Sequence, residues 1–158
     1  MNRFDLLSDI RDLIRGCLGA GCEYKLVITR GKPPQECNMV ALWAGRDTVQ
    51  AEDDCRFCDK QFEMLVYLYI TRICASGRSG ASMDFRLEEE QALCFYRDLD
   101  LIECCIDDAD TSQILADHTI DVFERVSTEP DRQMSGDTYA ATITLRVRGE
   151  QCCEQLVS

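Results

Sequence analysis

The sequence predicts an α+β domain in which a mostly antiparallel β-sheet packs against two or three helices. Helical apolar spacing appears near residues 2–18 and again from about Asp84, while a long strand-like run marks 61–74 and clean alternation marks 138–148. The segments also follow the order helix, three strands, one or two helices, two strands. Runs of strands separated by helices favour α+β over a parallel βαβ sheet. The 158 residues fit one domain, 1–158.

The first helix is expected over 2–18. Phe4, Leu7, Ile10, Ile14 and Leu18 form its apolar stripe, with Asn2 as cap and Gly19 and Gly21 as stop. "EYKLVI" (23–28) alternates with Tyr24, Leu26 and Ile28 on one side. "TRGKPPQE" then breaks the strand, because Gly31, Pro33 and Pro34 do not continue a paired strand. "CNMVALWAGR" (37–46) resumes as a strand apolar on both faces, and 46–61 reads as a polar connection.

"QFEMLVYLYITRIC" (61–74) is the longest strand candidate. Phe62, Met64, Val66, Leu68 and Ile70 share one face; Glu63, Leu65, Tyr67, Tyr69, Thr71 and Ile73 share the other. A strand wetted on one side normally carries more charge there, so either helices cover both faces or one face meets a partner. "ASGRSGAS" (75–82) is a loop. The next helix places Phe85, Ala92, Phe95, Tyr96, Leu99, Ile102 and Ile106 on one stripe, and Asp107, Asp108 and Asp110 suggest a turn, since acids oppose the negative end of a helix dipole. Residues 111–128 read as a short helix to about Ala116 and then a strand. "TEPDRQMSGD" (128–137) reads as a long turn, "TYAATITLRVR" (138–148) as the cleanest strand, and 149–158 as a polar tail.

A formal charge of −12 argues against a broad basic surface for gripping nucleic acid, though DNA could slide past such a protein. No apolar run approaches membrane-helix length, and "MNRFDLLSDIRDLIRG" lacks a secretory pattern, so a soluble protein folded in a cytoplasm and without membrane contact is expected. Eleven cysteines are too many to ignore and odd in number. Free thiols in a reducing compartment, mostly core filler, are the simpler expectation.

The chemistry these residues offer is thin. Cys55-Arg56-Phe57-Cys58 is half of a zinc site, but there is no second CxxC. Cys37 or Cys74 would complete it only if the fold brought them near. Glu52, Asp53, Asp54 and Asp59 surround the pair and would suppress a thiolate, against redox catalysis. The single histidine, His118, leaves little room for nucleophile–base catalysis and reads as a structural residue. "GRSG" (77–80) precedes no GK[ST], and the Glu88–Glu90 and Asp107–Asp110 acids read as a solvated face and a turn. No catalytic residue, cofactor or metal is expected, and the protein is read as a non-enzyme. What stands out is surplus apolar and aromatic strand surface between long polar loops, a pattern suited to assembly.

The order of these segments resembles the tail terminator proteins of long-tailed phages of actinobacteria. The resemblance rests on "VITRGKPPQECNMVALWAGR" with its PP…C pattern and Val40, Leu42 and Trp43, on "FEMLVYLYITRICAS", on the helix ending "ECCIDDAD", and on the threonine-rich "YAATITLRVR", across residues 3–148. The acidity and the Cys152–Cys153 pair depart from that pattern. The resemblance implies a sheet flanked by helices whose copies close into a ring, a homohexamer. The ring would cap the head-proximal end of the tail tube, end tube polymerisation, and contact the tail tube protein and a neck or head-completion protein. DNA would pass through its lumen without specific binding. The protein would reside in the virion tail after assembly in the host cytoplasm.

Ring closure of this kind uses two different surfaces per subunit. The contact candidates are the loops 47–61, 76–83 and 129–137, with Arg30, Lys32, Arg46 and Arg72 as salt-bridge partners. Phe57, Tyr67 and Tyr69 would supply apolar contact. The alternatives are another neck or tail-tube component, or a small cysteine-rich zinc-binding module.

Overall fold

A computed structural model describes residues 3–19, 24–34, 36, 38–50, 60–73, 85–108, 110–131 and 138–151. The elements run α1 (Arg3–Leu18), β1 (Lys25–Ile28), β2 (Met39–Gln50), β3 (Lys60–Ile73), α2 (Phe85–Asp108), α3 (Ser112–His118), β4 (Ile120–Pro130) and β5 (Thr138–Gln151). The five strands form one mixed sheet in the order β1-β2-β3-β5-β4. Only β1 and β2 pair in parallel; the other three pairings are antiparallel. The expected α+β class, a mostly antiparallel sheet against helices, is what the chain adopts, and the sheet stays open.

Alternation decides which side is the core. Even-numbered residues of β3 from Phe62 to Ile70 and odd-numbered residues of β5 from Ala141 to Val147 are buried on one face, as the sequence predicts. Val40 and Leu42 of β2 join them, and α1 and α2 pack over this layer through Leu6, Ile10, Ile14, Phe95, Leu99 and Ile102. Each fully buried aliphatic side chain contributes roughly 1.5–3 kcal/mol, so this layer dominates stability.

The helix stripes differ from expectation at two places. Leu6 takes the buried position on α1 while Phe4 stays 59% exposed, and Tyr96 of α2 is 52% exposed. Tyr96 lies at the rim of an aromatic group instead, edge-on to Phe95 and Tyr139 at centroid distances of 5.5 and 6.5 Å. Gly19, at φ 81°, ends α1 with its N–H donating to the Arg15 carbonyl at 3.1 Å. Helix α2 ends at Asp108 despite its acidic last turn, because Arg125 of β4 reaches Asp107 at 2.9 Å and Glu103 at 3.3 Å and offsets the charge.

Three segments read as irregular from the sequence are strand. The ladder of β2 and β3 continues past a bulge between Ala44 and Asp47 to Gln50↔Gln61, inside the expected polar connection 46–61. Strand β4 runs through Thr128 and Glu129 to Pro130, where a turn was expected. Strand β5 adds Gly149, Glu150 and Gln151 against Phe62, Gln61 and Lys60, where a tail was expected. The reason is common to all three: these mostly polar residues carry no alternation signal, yet their backbones pair with the neighbouring strand. The short helix expected to Ala116 continues to His118 and stops at Thr119, which adopts φ 54°.

Candidate interaction surface

The helices cover one face of the sheet. On the opposite face the pairings Ala41↔Tyr69, Trp43↔Tyr67, Tyr67↔Thr144 and Leu65↔Arg146 set a row of side chains across β2, β3 and β5. Trp43 and Tyr67 stack at 5.5 Å with their planes 27° apart, and both are half-buried, as are Leu65 and Thr144. Gly45 gives the Tyr67 ring its room: a Cβ there would overlap a Tyr67 ring carbon, so only glycine lets the ring come this close to the backbone of β2. Toward β4 the surface turns polar, with Arg146 paired to Glu124 and Arg148 to Asp121 at 3.5 Å.

One end of this face is covered by the chain itself. The connection from β1 to β2 crosses over it, and Met39, Ala41, Tyr69 and Ala140 are buried beneath. The Thr71 hydroxyl donates to the Glu36 carbonyl at 2.7 Å. Lys32 places its ammonium 4.8 Å from the Tyr69 ring centroid and 3.0 Å from Asp131 Oδ2, an oxygen that also accepts from the Tyr69 hydroxyl at 3.1 Å. The hydrogen bond to Asp131 raises the Lys32 pKa above its ordinary value. A cavity of about 390 Å³ opens beside the pair, lined by Lys32, Glu129, Pro130, Asp131 and Thr142.

The contact candidates therefore fall in different settings. Tyr67 is on the half-open face and Arg30 is exposed at a bend after β1. Lys32 belongs to the β1–β2 connection, a strap across this face, and Tyr69 lies beneath it on β3, fully buried within the chain. Arg46 is on β2 at the bulge. Arg72 points to the helix side, where its guanidinium lies 3.3 Å from Asp98 Oδ2. Burial opposes the Arg72 charge, but interactions with Tyr24 and Asp98 outweigh it and its pKa is raised. Phe57, residues 51–59 of the 47–61 connection, the 76–83 loop and residues 132–137 lie outside the described residues.

Sequence reasoning grouped Leu65 with Tyr67 on one face of β3, but it did not bring Trp43 of β2 to that face. The usable signal was register: once β2 and β3 pair, the parity that places Tyr67 outward does the same for Trp43.

Two further polar clusters lie on the helix side. Tyr24 donates to Asp98 Oδ2 at 2.7 Å, and burial, then that hydrogen bond, push the Tyr24 hydroxyl well above its usual range. His118 is buried with Nε2 2.5 Å from Asp9 Oδ2, so the lone histidine joins α3 to α1, the structural role expected of it. Cys17 and Cys105 are joined as a disulfide between α1 and α2, with Cα atoms 6.0 Å apart, which corrects the expectation of free thiols at these two positions. Helical spacing places each thiol on the side facing the other helix, a proximity no linear spacing reveals. Cys94 and Cys104 carry free thiols. Cys37, Cys55, Cys58 and Cys74, the candidate zinc ligands, lie outside the described residues. Among the described residues no group of histidine, cysteine and acidic side chains is arranged to hold a metal, and no helix is long and apolar enough to cross a membrane.

No family profile matches the chain, and no curated protein does. Among solved structures it is similar to a chain from the virion of a native gene transfer agent particle, at 10% identity and a TM-score of 0.44, over 92% of this chain and 94% of that one. A likeness that coarse assigns neither family nor function.

Proposed function

We propose that the chain is a structural protein of a phage virion and not an enzyme: a tail terminator whose copies close into a hexameric ring on the head-proximal end of the tail tube. There it ends tube growth and joins the tail to the neck, with DNA passing through its lumen. The observation that carries this reading is the one-sided covering of the sheet. The face away from the helices keeps a half-exposed Trp43–Tyr67 stack beside Leu65, rimmed by the Arg146–Glu124 and Arg148–Asp121 pairs. Aromatic centres with polar rims are the composition of protein contacts. The segment order that resembles tail terminators supplies the specific role.

Electron micrographs of the purified protein, alone and mixed with purified tail tubes, test it. Rings of about six copies with a central hole, free or seated on tube ends, are expected. Particles that stay monomeric in both preparations overturn the reading.

A further inference from the structure

We propose that the Cys17–Cys105 disulfide is a reversible, oxidation-dependent clamp that fixes the C-terminal turn of α1 to α2. The two residues sit in very different surroundings. Cys105 is on a well-anchored turn, between Ile102, which is fully buried, and Ile106, which is nearly so. Cys17 is on the last turn of α1, where Gly16 and Gly19 have open space around the position a Cβ would take. The buried residues of α1 are Leu6, Leu7, Ile10 and Ile14, all N-terminal to that turn. Beyond them only the half-buried Leu18 packs against the core, so the bond to Cys105 reinforces a lightly held last turn of α1. Both cysteines are half-buried, which leaves the bond open to small thiols and disulfides.

The chemistry balances with a low-molecular-weight disulfide as oxidant. The Cys17 thiolate attacks the small disulfide, forming a mixed disulfide and expelling one thiolate. The Cys105 thiolate then attacks the Cys17 sulfur and expels the second. Two protein thiols become one disulfide, the small disulfide becomes two thiols, and the two protein protons end on them. Reduction by excess small thiol is the reverse. The clamp needs no rearrangement of the fold, because the Cα separation already suits the bond. It operates whether or not the chain assembles into a ring.

The test uses the full-length protein equilibrated with oxidised or reduced glutathione, alkylated, and digested without reductant. A Cys104→Ser variant removes the ambiguity between the neighbouring cysteines. The expected result is a Cys17–Cys105 cross-linked peptide in the oxidised sample only, with amide exchange at residues 15–19 faster by about tenfold or more after reduction and slow again on reoxidation. Exchange at the buried strands should stay unchanged. A Cys17→Ser/Cys105→Ser variant should show the fast exchange under both conditions. If that variant does not fold, the reduced wild-type protein supplies the same comparison. Absence of the cross-link, linkage of Cys17 to another cysteine, or exchange at 15–19 that ignores redox state overturns the proposal.

Discussion

The Tyr24 hydroxyl donates a 2.7 Å hydrogen bond to Asp98 across 74 residues of chain, and the same carboxylate oxygen lies 3.3 Å from the Arg72 guanidinium. Residue 24 leads into β1, residue 72 is near the end of β3 and residue 98 is on α2, so one buried carboxylate ties two strands to a helix. Tyr24→Phe removes a hydrogen bond to a charged acceptor and should cost about 1.5–3 kcal/mol. Asp98→Ala removes the carboxylate that Tyr24 and Arg72 share and should cost more, about 3–5 kcal/mol. Urea unfolding of both variants checks the order; a Tyr24→Phe protein as stable as the parent would contradict it.

The same cluster predicts alkaline sensitivity. The Tyr24 pKa is raised above its ordinary 10.0, so the folded chain holds this proton more tightly than the unfolded one. Its contribution is complete below pH 10 and declines as pH rises toward the folded value. Lys32 acts in the same direction, since its pKa is raised by Asp131. Tyrosinate absorbance should show one tyrosine that ionises only on alkaline unfolding, and Tyr24→Phe should flatten the stability curve above pH 10.

At the acid end Asp107 is the group to follow. Its hydrogen bond to Arg125 lowers its pKa below 3.8, so its contribution is present above that value and fades as pH falls through the folded one. The pair is largely solvated, and Asp107→Asn should cost only about 0.5 kcal/mol at neutral pH. Chemical denaturation at neutral and strongly acidic pH should show that difference vanish in acid.

Two glycines make opposite predictions. A Cβ at Gly149 would fall 2.5 Å from the Thr119 carbonyl oxygen and 2.7 Å from Ile120 Cα, both backbone atoms that have nowhere to go. Gly149→Ala should therefore lower stability by about 1–3 kcal/mol. Gly16 is helical with open space around it, and Gly16→Ala should raise stability by about 0.5–1 kcal/mol. Thermal melts of the two variants moving in the same direction would contradict the packing described.

The protein's only tryptophan is Trp43, on the open sheet face. Its emission should shift to shorter wavelength when copies assemble or meet a tube, as water leaves the ring. Trp43→Asp should keep the circular dichroism of the fold and abolish assembly; a variant that still forms rings would place the contact elsewhere.

The sequence made the sheet legible where one face is buried. Ala141 to Val147 announced both strand and facing, because period-two alternation is the direct imprint of a one-sided core, whereas Phe62 to Ile70 announced a strand but left open whether both faces were covered. It was silent at 47–50, 128–130 and 149–151, where backbones pair but the residue types show no alternation. The open face was half legible: Tyr67 stood out by residue type, whereas Trp43 needed the register. The strap was not legible, because Lys32 over Tyr69 and Asp131 joins three distant segments through geometry alone. The helix–helix disulfide was hidden for the same reason.

The pairing of Lys60 with Gln151 has a consequence for synthesis. Strand β3 is central, yet its β5 neighbour is translated only after α2, α3 and β4. On the ribosome, β3 can gain its second neighbour only when residues 138–151 have emerged. Until then β3 has β2 alone and an unpaired, hydrophobic edge. A chain released early lacks the strand that closes this edge. Truncation within β5 should therefore yield aggregates, not a smaller folded protein, and codon-level slowing before residue 138 should lower the soluble yield more than slowing after residue 151.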